Sequence, residues 1–281
     1  MKSNTLCLID YDDTLLPSSH LHDLMEHRRK ELEKRSRQRK RNHHTSNCDD
    51  EGNENYEDSD CSRNDNKRND LQNKENEGNG LIANEQLTFR SLENAAITLI
   101  MEACKRSSRV VVISNAEERW ISYTLSHFFP RLGDIFGRNN VLVVSARDTY
   151  NQGALFDKPL LWKVHAFRSC AGDFALETTR SGSTFHILSI GDSDHERKAA
   201  KIASQEHGAS MRTIKLLEMP SVGLLHKQLE YLCAHIDIFV GDHCDGSKAQ
   251  VELVIAKDGH EITHEIAETS IDQSKGLVIS Q

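Results

Sequence analysis

The sequence predicts an α/β protein with a three-layer, doubly wound (Rossmann-like), mostly parallel sheet. One observation is a series of short apolar runs that end abruptly at polar residues, a pattern typical of strands buried on both faces. The other is that the segments between these runs carry apolar residues at helical spacing. Strands that alternate with helices predict a parallel sheet covered by helices on both sides.

Five runs predict the strands, the last of them weakly: residues 5–9, 110–113, 141–144, 186–190 and 211–217. Helical spacing predicts five long helices: residues 89–105, 117–129, 161–170, 196–207 and 222–235. In such sheets, ligands bind at the carboxyl ends of the strands. We therefore expect the polar residues that follow the strands to gather at one edge.

Two segments depart from this alternation, so the chain divides into four parts. Residues 1–25 hold the first strand and its loop, and residues 83–236 hold the remainder of the core. Residues 26–82 are highly charged and rich in Asn, Asp, Glu and Ser, which predicts a disordered insertion. In residues 237–281, two alternating runs flank Asp258-Gly259, which predicts a C-terminal β-hairpin followed by a frayed tail.

The composition narrows the classes of function. The 281 residues carry a formal charge of −8, which argues against general nucleic-acid binding. The seven cysteines show no zinc-type spacing, and their pattern suits a reducing compartment. No apolar run is long enough to span a bilayer, so we expect no membrane partner. Together these observations predict a cytoplasmic location. The basic run Lys34–Arg41 raises nuclear import or RNA binding as an alternative, although such runs are more often solvated.

Three carboxylates follow the first strand in the segment Asp10-Tyr11-Asp12-Asp13-Thr14. Their mutual repulsion is costly unless a cation or a proton relieves it. Mg²⁺ suits this loop, because it takes oxygen ligands and is commonly held by one or two carboxylates plus substrate phosphate. Asp10 and Asp12 can then divide the work, one attacking phosphorus and the other exchanging a proton with the leaving oxygen.

The other strand ends supply complementary groups. Ser114 and Asn115 follow the second strand, where they either hold phosphate oxygens, with help from the N-terminus of a helix that starts near Ala116, or simply cap that helix. Phosphoryl transfer also needs a cation, such as a lysine, to offset the charge of the phosphate. Lys163 is the favoured candidate because a helix holds it in position, and Lys158, in a loop, remains the alternative.

The fourth strand is followed by a second acidic group. Asp192 comes directly after Gly191 and is placed to complete the metal site opposite Asp10. Asp194 and Glu196 add supporting acids, and Glu196 can pair with the lysine or reach the metal's water shell. Acidic residues are also common at helix N-termini, because the helix dipole favours negative charge there. That alternative accounts for one of these three acids more readily than for all three.

At these residues the chain resembles the haloacid dehalogenase-like (HAD) phosphatase superfamily. The family's first motif, DxDxT after an apolar strand, is matched by Asp10, Asp12 and Thr14. The strand ending in Ser114, the lysine and the Gly191-Asp192 pair match its other three motifs. Stretches such as 114–120, 144–147 and 189–193 also resemble an uncharacterised branch found in protists and plants, which implies no substrate.

The resemblance implies a mechanism. Asp10 would form an aspartyl-phosphate, while Asp12 would protonate the leaving group and then activate water. Mg²⁺ would be held by Asp10, Asp12 through its backbone carbonyl, and Asp192. Thr14 joins Ser114 and Asn115 among the expected phosphate-binding residues, whereas Asp13 fills the variable position of the motif.

The resemblance also bears on the substrate. Family members with small substrates usually carry a folded cap after the first or second motif, and neither slot here offers one. We therefore expect a capless enzyme whose substrate is a phosphomonoester of a macromolecule, such as a phosphoprotein, or one that supplies its own lid. The alternative is a catalytically idle domain that binds a phosphorylated ligand or a protein partner.

Overall fold

The computed structural model describes residues 3–45, 88–179, 184–240, 249–255 and 262–268, and these residues contain a seven-stranded sheet. The strand order is β3-β2-β1-β4-β5-β6-β7. Strands β1 to β6 pair in parallel, and β7 pairs antiparallel with β6 at the edge. The strands are β1 (Ser3–Ile9), β2 (Ser107–Ser114), β3 (Leu142–Ser145), β4 (His186–Gly191), β5 (Ser210–Lys215), β6 (Ala249–Ile255) and β7 (Ile262–Glu268).

Helices connect the strands and confirm the predicted α/β class. The α-helices are α1 (Ser18–Thr45), α2 (residues 88–106), α3 (Glu118–His127), α4 (Pro130–Arg138), α5 (Ala146–Tyr150), α6 (Pro159–Thr179), α7 (Asp194–His207) and α8 (Val222–Phe239). A single 3₁₀ turn, Gly153–Leu155, precedes α6. The sequence did not predict α4 as a separate helix; Pro130 ends the preceding segment but is well suited to the first turn of a new one.

Successive residues of the central strands face opposite helical layers. Leu6 and Leu8 of β1 lie in one buried apolar cluster with Phe167 of α6 and Ala199 of α7. Cys7 between them is also buried and lies near Cys104 of α2 on the other face. Both faces of the sheet are therefore covered, as the continuous apolar strand sequences predict.

The order in which the chain adds strands reverses at the centre of the sheet, and this reversal indicates where a ligand site is expected. From β1, the chain adds β2 and β3 on one side, then returns to add β4 and β5 on the other. Ligand sites of open α/β sheets lie at such a switch point, outside the carboxyl ends of the strands. Here that point lies between β1 and β4.

Part of the predicted insertion is helical. Residues 20–45 belong to a different compact unit from the one that holds the sheet. The prediction of disorder is wrong for residues 26–45, which belong to α1. Lys, Arg, Glu and Gln are good helix formers, and the pairs Lys30–Glu26 and Arg29–Glu33 have the i,i+4 spacing that supports a helix. Residues 46–82 of the predicted insertion lie outside the described residues.

The C-terminal strands confirm the predicted hairpin pairing. Ile255 pairs with Ile262, and the pair joins the sheet through Arg212 of β5 and Ala249 of β6. The predicted Asp258-Gly259 turn and the tail lie outside the described residues. Among the helices that the structure describes, none is both long and apolar enough to cross a membrane.

The alternation along β1 predicts a large effect of truncation. Leu8→Ala should lower the free energy of unfolding by about 2–5 kcal/mol, because Leu8 is fully buried between β1 and the α6–α7 layer. The control is Leu176→Ala on the exposed face of α6, with an expected change within about 0.5 kcal/mol. Urea denaturation measures both, and similar losses would contradict the layer assignment.

Candidate metal and phosphate site

The parallel register brings three chain segments to the same edge. Ile9 of β1 lies opposite Val112 of β2 and Ile190 of β4. The backbone N–H of Asp10 donates to the carbonyl of Ile190 at 2.8 Å, extending the pairing one residue past the strand. The loops after β1, β2 and β4 therefore begin side by side, as the sequence predicts.

Three carboxylates and one lysine meet at this edge. Asp10, Asp192 and Glu196 each offer an oxygen within 4.8 Å of the others. The ammonium of Lys163 lies 2.5 Å from Oδ1 of Asp10 and 3.0 Å from Oε1 of Glu196, and it donates to the carbonyl of Ile113 at 2.9 Å.

The structure distinguishes the two candidate lysines by position. Lys163 is only 1% exposed and reaches the carboxylates from α6, whereas the side chain of Lys158 is exposed in the preceding loop. Lys163 is therefore the lysine that accompanies Asp10.

Burial and repulsion perturb these groups. Burial raises the pKa of Asp10 well above its ordinary value; Lys163 opposes this rise, and Glu196 and Asp192 add to it. Burial, followed by the charge of Glu196, raises the pKa of Asp192 to about 7. Burial also acts to raise the pKa of Glu196, but Lys163 and Ser193 outweigh it and hold that pKa below its ordinary value.

The cluster fits a divalent cation. When fully ionised, the three carboxylates exceed the one ammonium by two negative charges in a largely buried space, and a bound cation would stabilise that form. Hard carboxylate oxygens are the ligands that Mg²⁺ prefers. Of the predicted metal ligands, Asp10 and Asp192 lie in the cluster, and Glu196, predicted as a supporting acid, joins them.

The side chain of Asp12 lies outside this cluster. Its Oδ2 accepts a hydrogen bond from Oγ of Ser114 at 2.5 Å. Its Oδ1 accepts from Oγ of Ser18 at 2.5 Å and from Nε1 of Trp120 at 3.3 Å. These donors hold the carboxylate away from the cation cluster, so only the backbone carbonyl of Asp12 remains as a predicted ligand. Sequence reasoning missed Ser18 and Trp120 because they contact Asp12 only in the folded chain.

Of the predicted phosphate-binding residues, Ser114 contacts Asp12 directly. Ser114 is fully buried, and its Oγ also accepts from the backbone N–H of Ala116 at 2.8 Å. Asn115 donates to the carbonyl of Pro159 at 3.3 Å. The buried Oδ1 of Asn115 and Oγ1 of Thr14 have no hydrogen-bond partner among the described residues.

The helix after Ser114 does not contribute as expected. Helix α3 begins at Glu118 rather than near Ala116, and the backbone N–H of Glu118 donates to Oδ2 of Asp148 at 2.6 Å. A carboxylate of the protein thus already occupies this N-terminus, where the sequence suggested a phosphate.

Two acids near the site have structural roles. Asp13 adopts a left-handed backbone conformation with φ of +51°, and its carboxylate accepts from the backbone N–H and the hydroxyl of Ser19 at the start of α1. Asp194, predicted as a supporting acid, is exposed and lies 4.0 Å from Arg197 rather than in the carboxylate cluster.

Gly191 and Ser193 hold Glu196 in place. Ser193 and Glu196 form a reciprocal capping box at the start of α7, with Oε2 of Glu196 accepting from the backbone N–H of Ser193 at 3.1 Å. The other oxygen, Oε1, faces Lys163. A Cβ added at Gly191 would lie 2.9 Å from Cδ and Oε2 of Glu196, closer than real Cβ contacts allow.

Comparison of the chain with protein-family models, with curated proteins and with solved structures gives no match. The resemblance to the HAD-like superfamily therefore rests on the motif residues themselves.

Replacing the buried lysine tests the charge balance. Lys163→Met should lower the free energy of unfolding by about 3–5 kcal/mol, because it leaves Asp10 and Glu196 buried without their counter-ion. Added Mg²⁺ should restore part of the loss, since it supplies positive charge to the same carboxylates. Lys158→Met is the matched control, with an expected change within about 0.5 kcal/mol. Equal unfolding free energies for the two variants would exclude a central role for Lys163.

Adding one methyl group at Gly191 tests the packing of Glu196. Gly191→Ala should displace Glu196, lower the free energy of unfolding by about 1–3 kcal/mol and weaken Mg²⁺ binding measured by calorimetry. Gly223→Ala in α8 is the control, because a Cβ there meets no atom within 4 Å; it should be neutral or slightly stabilising. Unchanged Mg²⁺ affinity in Gly191→Ala would show that the position of Glu196 is not needed for the cation.

Proposed function

We propose that the chain is a Mg²⁺-dependent phosphohydrolase that cleaves a phosphomonoester through an aspartyl-phosphate on Asp10. The observation that carries the proposal is the buried ammonium of Lys163 between Asp10 and Glu196, with Asp192 within reach of a shared cation. An excess of buried carboxylates over cations is costly unless a bound cation compensates it. Here the excess lies at the sheet edge where parallel α/β proteins bind their ligands.

In the first half-reaction, an oxygen of the Asp10 carboxylate attacks phosphorus and the bond from phosphorus to the leaving oxygen breaks. Asp12, in its protonated form, gives its proton to the leaving oxygen, so the product departs as an alcohol. Lys163 offsets the charge of the phosphoryl oxygens next to Asp10. Ser114, whose hydroxyl contacts Asp12, is placed to turn towards those oxygens when substrate binds.

In the second half-reaction, the Asp12 carboxylate takes a proton from water as the water oxygen attacks phosphorus. The bond from Asp10 to phosphorus breaks, which releases inorganic phosphate and returns both aspartates to their starting forms. Asp10, Asp192 and Glu196, with the Asp12 carbonyl, would hold Mg²⁺ directly or through its water shell. When bound, the cation neutralises phosphate charge and the repulsion between the phosphate and Asp10.

The division between Asp10 and Asp12 supports this mechanism. Asp10 contacts Lys163 and the acidic cluster, whereas the carboxylate of Asp12 contacts hydroxyl and indole donors. The nucleophile therefore lies on the cation side and the proton carrier on the side of Ser114 and α3. A phosphoryl group between them would meet one carboxylate at phosphorus and the other at its leaving oxygen.

The nucleophile is tested by an isosteric substitution. Asp10→Asn should abolish Mg²⁺-dependent release of phosphate from an aryl phosphate, because the amide is a far weaker nucleophile. Asp173→Asn, at an exposed aspartate of α6, should leave the rate unchanged. Phosphate release by the wild-type and both variant proteins is measured with a colorimetric assay, with and without Mg²⁺.

Two results would contradict the proposal. Full turnover by Asp10→Asn would remove the proposed nucleophile. A wild-type protein that binds Mg²⁺ and phosphate mimics, yet neither releases phosphate nor traps beryllium fluoride on Asp10, would instead be an idle domain that binds a phosphorylated ligand.

A further inference from the structure

Trp120 lies beside the residue that would protonate the leaving group. Its Nε1 donates to Oδ1 of Asp12 at 3.3 Å, and its ring is half-buried at the start of α3. No step of the proposed mechanism uses this ring. Its position nevertheless bears on the substrate, because the group attached to the leaving oxygen must lie next to Asp12.

The distances limit what that group can be. A leaving oxygen that receives its proton from Oδ1 of Asp12 lies about 2.6–3.2 Å from that atom, hence at most roughly 6.5 Å from Nε1 of Trp120, which contacts the same Oδ1. A ring bonded directly to that oxygen can therefore reach the indole. The base of a nucleotide is separated from its ester oxygen by the sugar and lies farther away, and the side chain of a phosphoserine offers no ring.

The neighbouring side chains continue the aromatic surface. Tyr123 stacks on Trp120 with ring centroids 6.2 Å apart and planes at 28°, and His127 stacks on Tyr123 at 4.2 Å and 29°. Tyr123 is 40% exposed, so this row of rings is open to a partner along α3. It extends along α3 from Trp120, the residue of the row that contacts Asp12.

We infer that the substrate is an aryl phosphate monoester, the chemistry of phosphotyrosine, whose ring packs on Trp120. This inference rests on the proposed phosphatase function and adds the class of leaving group to it. Stacked aromatic pairs prefer offset or edge contacts, and a pair of this kind changes affinity by about three- to tenfold. Trp120 is thus assigned as a specificity-determining residue.

Binding of two non-hydrolysable phosphonates tests the inference. Benzylphosphonate and cyclohexylmethylphosphonate carry the same charge and nearly the same volume, and they differ in whether the ring is aromatic. Calorimetry with the full chain and Mg²⁺ should give about three- to tenfold tighter binding of benzylphosphonate. A peptide containing phosphonomethylphenylalanine forms a third arm: tighter binding than benzylphosphonate indicates an aryl ester carried by a protein, and equal binding a free one.

Two variants isolate the ring of Trp120. Trp120→Phe and Trp120→Leu both remove the N–H that contacts Asp12, but only the phenylalanine keeps an aromatic face. The preference for benzylphosphonate should persist in Trp120→Phe and disappear in Trp120→Leu, with the unfolding transition of each variant confirming that it is folded. The difference between the variants therefore reports stacking and not the loss of the hydrogen bond.

The outcomes separate this inference from the function on which it rests. Equal binding of both phosphonates by the wild-type protein, or an unchanged preference in Trp120→Leu, overturns the aryl assignment and leaves the phosphatase proposal standing. If neither phosphonate binds in a Mg²⁺-dependent manner and no phosphate is released, both the aryl assignment and the phosphatase proposal are overturned.

Discussion

The site depends on the contact of Lys163 with Asp10 and Glu196. A buried ammonium is stable only with compensating charge, and these acids supply it at 2.5 and 3.0 Å. Burial alone would lower the pKa of Lys163, but the two carboxylates raise it above its ordinary value, so the lysine stays charged. This constraint joins β1, α6 and α7. Compensation is incomplete, since Asp192 adds a further carboxylate, and that imbalance is the physical reason to expect a divalent cation.

Glu196 connects local helix formation to the site. One oxygen closes the capping box with Ser193 and the other faces Lys163. The sequence suggested two roles for this acid, a helix terminus or a member of the site, and the geometry satisfies both. Gly191 makes this possible because any side chain there would occupy the space of Glu196. Gly191 and Glu196 therefore depend on each other, although four residues lie between them in the sequence.

Prediction succeeded for the strands and for the sheet edge where they end, and failed for the orientation of Asp12 and for one charged helix. Continuous apolar runs located the strands within a few residues, because a strand that is buried on both faces carries apolar residues at successive positions. Strand order then brought Asp10, Ser114 and Asp192 to one edge. The orientation of Asp12 was not predictable, because it depends on donors from Ser114 and Trp120, about a hundred residues away. The helical state of residues 26–45 was missed because charge density was taken as disorder, although its residues favour helix.

The opposite surroundings of Asp10 and Asp12 suggest how specificity is divided between the layers of the fold. Asp10 contacts a lysine and lies beside two acids, groups that respond to phosphate and to a cation, whatever ester is attached. Asp12 contacts hydroxyls and an indole, groups that respond to the leaving side of the substrate. In the proposed phosphohydrolase, the sheet edge would therefore serve the chemistry common to all phosphomonoesters, and α3 would serve the choice between them. A change of substrate in a protein of this design would require substitutions on α3 and none among the carboxylates.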